Sequence, residues 1–276
     1  MATITAEAGL NHNSFLASAL ELCDIARHAG ADVVKFQRRV PEISVPRTEW
    51  ATPKSTPWGT IEPYLEYKKK IELSQEQYRE ISQHCKDIGI PWTASVWDLP
   101  SLDNMREFDV PFIKLPSAKL TNDELLLACA DSGSPIVLSC GMSTEKEVDH
   151  AVSLIRDVPG ASLLHCHSTY PSPGEEQNLS LIPKMRERYG LPVGYSSHSV
   201  SPFVPLAAVS RYGAVAIEVH ITKHREAKGT DHAASLEPHG LELLVREINR
   251  LDALHGDGQR RLWTSEIPTR LKLRGV

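Results

Sequence analysis

Two histidines follow consecutive β-type runs near the end of the chain. His198 comes after the run Pro192–Ser196, and His220 ends the run Ala214–His220, with a helix-type run, Val204–Tyr212, between them. In a parallel sheet built from such units, both side chains emerge at the carboxyl edge of the sheet. Two converging imidazoles can hold a divalent metal, whereas either histidine alone is better explained as a hydrogen-bonded residue of the rim.

Two carboxylates are placed to act at the same edge. Glu7 ends the first β-type run, and Asp231 lies in a Gly-Thr-Asp turn that follows His220. A carboxylate in either position can serve as a general acid or base. Glu7 has an alternative role, which is to form an ion pair with Lys35 of the second β-type run.

Two lysines terminate strongly apolar runs, Lys35 in VVKFQ and Lys114 in FIKLP. A lysine in such a position either extends to solvent or faces a buried anion. Ser117, Ser139 and Ser196 stand at neighbouring strand ends, and hydroxyl groups together with lysines suit a phosphate or a carboxylate. The combination predicts an anion site, and the alternative is two structural ion pairs with neighbouring acids.

The elements that must position these residues alternate between short β-type runs and helix-type runs. Eight such pairs predict an α/β fold, a single (β/α)8 TIM barrel that spans residues 1–276. No GxGxxG sequence follows the first run and no P-loop is present, which weakens a nucleotide-binding alternative. Residues 38–73 are too long for a bare connection and are expected to form a lid over one end. The predicted strands are Ile4–Ala8, Val33–Gln37, Pro91–Ser95, Phe112–Leu115, Pro135–Ser139, Ser162–His165, Pro192–Ser196 and Ala214–His220.

Local signals refine this outline. Ser74 with Gln77, and Thr144 with Glu147, have the capping-box spacing that predicts the start of a helix. The charged run Tyr67–Ile71, YKKKI, is interpreted most simply as a solvated surface. A basic tail is expected to close the chain.

Composition restricts the possible partners. The chain has 276 residues and a net charge of −5, so it lacks the broad basic field that nucleic acid or a membrane surface requires. No signal peptide and no membrane span are expected from the sequence. The five cysteines contain no CxxC pair, which indicates reduced, core-filling thiols in a cytoplasmic protein.

Sequence words spread over nearly the whole chain resemble the sialic acid synthase family, TIM-barrel enzymes that condense phosphoenolpyruvate (PEP) with a sugar aldehyde. They stand in the family's order: AEAGLNHNS, GADVVKFQ, GIPWTAS, FIKLPSA, PIVLSCGMST, LLHCHSTYPSP, VGYSSHS, AIEVHIT and GTDHAASLEP. The resemblance implies a cytoplasmic, metal-dependent enzyme that forms a nonulosonic-type 2-keto acid and releases phosphate.

The resemblance also implies a role for individual residues. His198 and His220 would hold Mn²⁺, Mg²⁺ or Co²⁺. Glu7 and Asp231 would be catalytic and face the acceptor sugar. The residues implied in PEP binding are Lys35, Ser95, Lys114, Ser117, Ser139, Ser168 and Ser196, and those implied in acceptor binding are Gln37, Lys119 and Tyr170.

The chain departs from the family pattern in three ways. It ends at Val276, so the resemblance is to a form without the C-terminal antifreeze-like domain that sialic-acid-forming members commonly carry. A homodimer is an open possibility. Lys119 stands where those enzymes have a glutamate near the acceptor, and Ser197 replaces an aspartate beside the first metal histidine. We therefore hypothesise that the acceptor is not simply N-acetylmannosamine and that Lys119 favours an acidic or phosphorylated one.

Two other functions are compatible with the same residues. One is a metal-dependent barrel aldolase or isomerase that does not use PEP, and the other is a non-catalytic relative that binds PEP or a sugar. The set Glu7, Lys35, Lys114, His198 and His220, together with Asp231, is complete, which argues against the non-catalytic alternative.

Overall fold

The computed structural model describes residues 2–276, except for the side chain of residue 252. Within that range, eight strands close into a parallel barrel, which confirms the predicted TIM barrel. They are β1 (Thr3–Gly9), β2 (Val33–Arg38), β5 (Trp92–Val96), β6 (Ile113–Leu115), β7 (Ile136–Ser139), β8 (Ser162–Cys166), β9 (Val193–Ser197) and β10 (Ala216–His220). Each strand lies next to its predecessor among these eight, and β10 pairs with β1 to close the barrel.

Helices surround the barrel, and both predicted capping boxes are present. The Ser74 hydroxyl accepts from the Gln77 N–H at 3.2 Å, and the Thr144 hydroxyl accepts from the Glu147 N–H at 3.4 Å. These bonds satisfy backbone donors that lack an intrahelical partner. The helices between and after the barrel strands are α1 (Leu16–Ala29), α4 (Gln75–Ile88), α5 (Leu99–Met105), α6 (Asp123–Ala130), α7 (Glu145–Ile155), α8 (Leu181–Tyr189), α9 (Phe203–Tyr212) and α10 (Pro238–His255).

The core between strands and helices is apolar and contains the cysteines. Trp92 of β5 stacks on Tyr78 of α4 with ring centroids 5.7 Å apart, and Phe36 of β2 packs edge-on against both rings. All five cysteines are free and buried, as predicted. This packing fixes the strands whose carboxyl ends carry the polar side chains.

Residues 38–73 form a folded insertion rather than an irregular loop. It contains α2 (Pro41–Ser44), a hairpin of β3 (Pro53–Ser55) and β4 (Ile61–Pro63), and α3 (Tyr64–Ile71). Helix α3 packs on Leu10, directly after β1, so the insertion lies at the carboxyl end of the barrel. Whether it closes as a lid stays a prediction.

The interpretation of YKKKI as a solvated surface is wrong for part of the run. Tyr67, Lys68 and Ile71 of α3 are buried, and only Lys69 and Lys70 reach solvent. The reason is helical periodicity, because positions 64, 67, 68 and 71 of a helix share one face.

The C-terminal segment is exposed throughout and contains a short helix, α11 (Ile267–Arg274), where the sequence predicted a basic tail. No helix in the described part of the chain combines the length and apolar character that a membrane span requires.

Candidate active site

A polar cavity of about 210 Å³ opens at the carboxyl ends of the strands. Polar side chains there come from different strands because parallel strands of a barrel all end at the same face. Most of the predicted site residues line it, whereas Lys119 and Asp231 lie just outside its lining. The predicted residues that line it are Glu7, Lys35, Gln37, Ser95, Lys114, Ser117, Ser139, Ser168, Tyr170, Ser196, His198 and His220.

The floor of the cavity is a buried cluster of alternating charges. Lys35 Nζ lies 2.5 Å from Glu7 Oε2 and 3.6 Å from Glu218 Oε1. Lys114 Nζ lies 3.9 Å from Glu218 Oε2, so this carboxylate contacts both lysines. The expected Glu7–Lys35 pair is confirmed, and so is the alternative that the lysines form ion pairs with neighbouring acids.

Hydroxyl groups complete the surroundings of the two lysines. Lys35 Nζ donates to Ser95 Oγ at 2.8 Å, and Lys114 Nζ donates to Ser139 Oγ at 2.7 Å. Ser196 donates to Glu218 Oε1 at 3.3 Å. Each ammonium group therefore has a neutral oxygen partner as well as a carboxylate, which is the pairing that a buried charge requires.

The two buried carboxyl groups of the cluster titrate in opposite directions. Burial raises the pKa of Glu7, although Lys35 acts against it. Burial also acts to raise the pKa of Glu218, but Lys114 and Lys35 together lower it to about 2. A pair of acids whose pKa values are driven apart can divide the roles of proton donor and fixed anion.

His198 and His220 follow neighbouring strands and line the cavity next to each other, with ring centroids 5.4 Å apart and ring planes at 59°. The Nδ1 of His198 donates to the carbonyl of His167, which leaves its Nε2 as an acceptor. Burial, followed by the neighbouring His220, lowers the pKa of His198 to about 4, so the ring is neutral at physiological pH. The ring of Tyr170 lies against His198 with centroids 4.0 Å apart.

The donor set fits a divalent metal that keeps positions open for other ligands. His220 Nδ1 is buried and has no hydrogen-bond partner among the described residues, and Asp231 Oδ2 lies 3.7 Å away. No three His, Cys, Asp or Glu side chains within residues 2–276, residue 252 aside, are grouped closely enough to hold a metal alone. Two imidazoles beside a carboxylate are suitable ligands, and substrate or water would supply the others.

The predicted acceptor side is continuous with the charge cluster. Gln37 Nε2 donates to Glu7 Oε1 at 3.1 Å, and Arg39 donates to the Gln37 side-chain oxygen. Lys119 lies at the rim, with its Nζ 6.0 Å from the centre of the Trp97 ring. Lys119 is therefore beside the cavity rather than inside it.

Glu218 was not assigned to the site from the sequence, although a signal for it existed. It precedes His220 by two residues in the same strand, and successive side chains of a strand alternate between its faces. Once His220 faces the barrel interior, Glu218 must face it as well.

Gly9 also belongs to the site, although it was not predicted from the sequence. It follows a bulge in β1 and has a positive φ of +54°, a conformation that favours glycine. A Cβ built there would lie 3.3 Å from Glu7 Oε1 and 3.4 Å from both Asp231 Oδ2 and Gln37 Nε2. The absence of a side chain at Gly9 thus leaves the space in which three predicted site residues meet.

Replacing Gly9 with alanine should lower kcat/KM by about 10- to 100-fold, because a displacement of catalytic groups by a fraction of an ångström is costly. Gly89→Ala is the matched control, since Gly89 has φ +70° and no atom within 4 Å of a built Cβ. Both variants should lose about 1–2 kcal/mol of stability from the left-handed backbone. Steady-state kinetics and thermal melts test this, and equal activity of the two variants would contradict it.

A parallel barrel with buried lysines, carboxylates and histidines at its carboxyl face defines a TIM-barrel enzyme. Residues 22–260 match the NeuB family, and the chain belongs to that family. It is 34% identical to the N,N'-diacetyllegionaminic acid synthase of Legionella pneumophila, over 98% of this chain and 78% of the relative. It is 33% identical to the human N-acetylneuraminate-9-phosphate synthase, over 98% of this chain and 76% of the relative.

A solved structure supports the same assignment. The crystal structure of N-acetylneuraminic acid (sialic acid) synthetase from Leptospira borgpetersenii superimposes with a TM-score of 0.84 at 34% identity. The match covers 99% of this chain and 92% of that one. The sequence-based prediction of an enzyme of the sialic acid synthase type is confirmed.

Proposed function

We propose that this enzyme condenses PEP with a sugar aldehyde and water to give a nonulosonic-type 2-keto acid and phosphate. The observation that carries the proposal is the pair Lys35 and Lys114, both buried and both directed into one cavity beside two histidines. Glu7 and Glu218 balance the charge of these lysines within the cluster, and each ammonium group also carries N–H donors that a phosphate or a carboxylate can accept. The names of the relatives, synthases of N-acetylneuraminate 9-phosphate and diacetyllegionaminic acid, agree with such a product.

The lysine-lined half of the cavity suits PEP. A carboxylate and a phosphate carry about three negative charges together near neutral pH. The Gly141 N–H donates to Ser117 Oγ at 2.9 Å, and a Cβ built at Gly141 would lie 2.3 Å from Ser168 Oγ. The backbone therefore approaches these hydroxyl groups closely, which favours a small anion bound by serines and lysines.

His198 and His220, with Asp231 beside them, are the residues that would hold a divalent metal. Nitrogen donors favour Mn²⁺ or Co²⁺ over Mg²⁺. When bound, such a metal would act as a Lewis acid on a carbonyl oxygen. The buried Nδ1 of His220, which has no hydrogen-bond partner within the part of the chain that the structure describes, supports this assignment.

The carboxyl groups can move the protons that the reaction requires. The PEP methylene carbon forms a bond to the aldehyde carbon, and the new alkoxide takes a proton that Glu7 can donate, because burial raises its pKa. Water adds to C2 of PEP and loses a proton that Asp231 can accept. Although burial acts to raise the pKa of Asp231, the neighbouring His220 lowers it.

The hemiketal phosphate formed in this way collapses to the ketone. The bond between C2 and the oxygen of the phosphate group breaks, and its electron pair leaves with the phosphate. The hydroxyl group on C2 loses its proton to the departing phosphate and becomes the ketone oxygen. Lys35 and Lys114 stabilise the charge on that leaving group. Glu218 stays ionised and keeps both ammonium groups in position.

The proposal is tested by phosphate release in the presence of Mn²⁺, PEP and a panel of sugar aldehydes. Release should require both PEP and an aldehyde, and one 2-keto acid should form for each phosphate. Aldehyde turnover without PEP would favour the barrel aldolase or isomerase. Binding of PEP without turnover across the panel would favour the non-catalytic relative.

A further inference from the structure

The loop between β8 and α8, residues 167–180, contacts His198 at both its ring and its backbone. The Tyr170 ring lies against the His198 ring with centroids 4.0 Å apart. The His167 carbonyl accepts from Nδ1 of the His198 ring, and the Ser172 N–H donates to the His198 carbonyl at 3.0 Å. The position of this loop therefore determines how the His198 ring is oriented.

Most of the loop is exposed, and its two buried residues, Ser172 and Gln177, are bonded to each other. Gln177 is only 3% exposed, and its Nε2 donates to Ser172 Oγ and to the Pro173 carbonyl, both at 2.7 Å. Because a carbonyl oxygen only accepts, the bond to Pro173 fixes which way the amide group points. The Gln177 Oε1 then accepts from the hydroxyl group of Tyr195 in β9.

The main chain of Gln177 is anchored to the barrel as well. Its carbonyl accepts from His165 Nε2 at 2.7 Å, and His165 belongs to β8. His165 and Tyr195 are register partners in β8 and β9, so the backbone and the side chain of Gln177 bond to adjacent positions of neighbouring strands. Gln177 therefore ties the loop to the strand after which the loop begins and to the strand after which His198 stands.

Side-chain contacts elsewhere in the loop lie nearer to solvent. Glu176, which is half-exposed, pairs with His167 Nε2 at 2.9 Å, and the exposed Thr169 hydroxyl lies 3.0 Å from His167 Nδ1. Exposed polar pairs of this kind contribute little, whereas a buried and fully satisfied network defines one conformation. The hydrogen bonds of Gln177 are therefore the main constraint on where the loop lies.

We propose that Gln177 is a positioning residue for the metal site, because it fixes the loop whose backbone sets the tautomer and the orientation of His198. A hydrogen bond from Nδ1 to the His167 carbonyl keeps the proton off Nε2, the nitrogen that is then available to a metal. Gln177 lies outside the lining of the cavity and acts through the backbone of His167 and Ser172. The inference rests on the proposed function, in which His198 is a metal ligand.

Gln177→Met keeps the length of the side chain and removes its hydrogen bonds to Ser172, Pro173 and Tyr195. Mn²⁺ binding, measured by electron paramagnetic resonance, should weaken by about 10- to 100-fold. Tyr195→Phe removes one of these bonds and should weaken Mn²⁺ binding by about threefold, which keeps the test decisive if Gln177→Met does not fold.

Thr93→Val is the matched control for the loss of a buried hydrogen bond. The Thr93 hydroxyl donates to the Phe112 carbonyl at 2.8 Å, and Thr93 belongs to β5, on the opposite side of the barrel from β9. This variant should melt at a lower temperature than the parent and bind Mn²⁺ with the affinity of the parent.

The tautomer of His198 can be measured without metal or turnover. In protein labelled with ¹⁵N-histidine, nuclear magnetic resonance at neutral pH should place the proton of the parent's His198 on Nδ1, and His198→Gln assigns the signal. In Gln177→Met the signal should shift toward the Nε2–H tautomer, because the bond that selects Nδ1–H is no longer held in place. Thr93→Val should keep the parent signal.

Two results would overturn the inference. One is a parent His198 that carries its proton on Nε2, and the other is an unchanged tautomer and Mn²⁺ affinity in both Gln177→Met and Tyr195→Phe. A parent that binds no Mn²⁺, but whose Nδ1–H tautomer is lost in Gln177→Met, would contradict the metal of the proposed function and support the positioning role of Gln177.

Discussion

Replacing Lys35 with methionine should lower kcat/KM by at least about 100- to 1,000-fold, the cost of removing one preorganised charge from an enzyme site. It should also reduce the free energy of unfolding by about 3–5 kcal/mol, because breaking a buried ion pair leaves an uncompensated charge. Lys35 contacts Glu7 at 2.5 Å and Glu218 at 3.6 Å, and both carboxyl groups are buried. Urea unfolding and steady-state kinetics measure the two effects.

The double variant Lys35→Met/Glu7→Gln separates stability from catalysis. Lys35→Met leaves the Glu7 carboxylate without its ion-pair partner, and Glu7→Gln removes that carboxylate. The double variant should therefore regain most of the stability that the single variant loses. It should not regain activity, because the ammonium group proposed to bind PEP and the proposed proton donor are then both absent. If Lys35→Met were as stable as the parent, Lys35 would not stabilise the charge cluster. If the double variant recovered turnover, neither Lys35 nor Glu7 would be needed for the reaction.

The barrel and most of the cavity could be predicted because they depend on local pattern. Each barrel strand is largely apolar and carries a polar residue within two positions of its carboxyl end, and closure of a parallel barrel brings all those ends to one face. Lys35 and Lys114 could be predicted as site residues because a lysine at the end of an apolar run either extends to solvent or faces an anion. Their partner Glu218 stands at a strand end as well but was given no role, since the sequence does not state which strand-end acid meets which lysine in space.

The burial of individual residues in the insertion was harder to predict because it depends on tertiary packing. Lys68 directly precedes two lysines that are exposed, and charge alone made the three equivalent. Only the helical assignment of Tyr64–Ile71 separates them, since Tyr64, Tyr67, Lys68 and Ile71 then share a face. That face meets Leu10, which is 57 positions from Tyr67 in the chain but adjacent in the fold. Long-range contacts of this kind leave no signal within a short window of sequence.

Replacing His220 with alanine should abolish metal-dependent turnover, with a loss of at least about 1,000-fold in kcat, if a divalent metal activates the acceptor as proposed. The structure makes this variant a clean test. His220 Nδ1 has no hydrogen-bond partner among the described residues, so its removal breaks no bond at that atom. Mn²⁺ binding, measured by electron paramagnetic resonance, should weaken in parallel, and a chelator should reduce the parent enzyme to the level of the variant.

His224→Ala is the matched control, because His224 is exposed and follows the same strand by four residues. It should bind Mn²⁺ like the parent. His198→Ala should behave like His220→Ala, since two imidazoles act as one chelate and neither suffices alone. PEP binding should survive in both histidine variants, because Lys35 and Lys114 lie on other strands. If His220→Ala kept both Mn²⁺ binding and turnover, the two rings would be ordinary residues of the barrel rim and the reaction would need another activator.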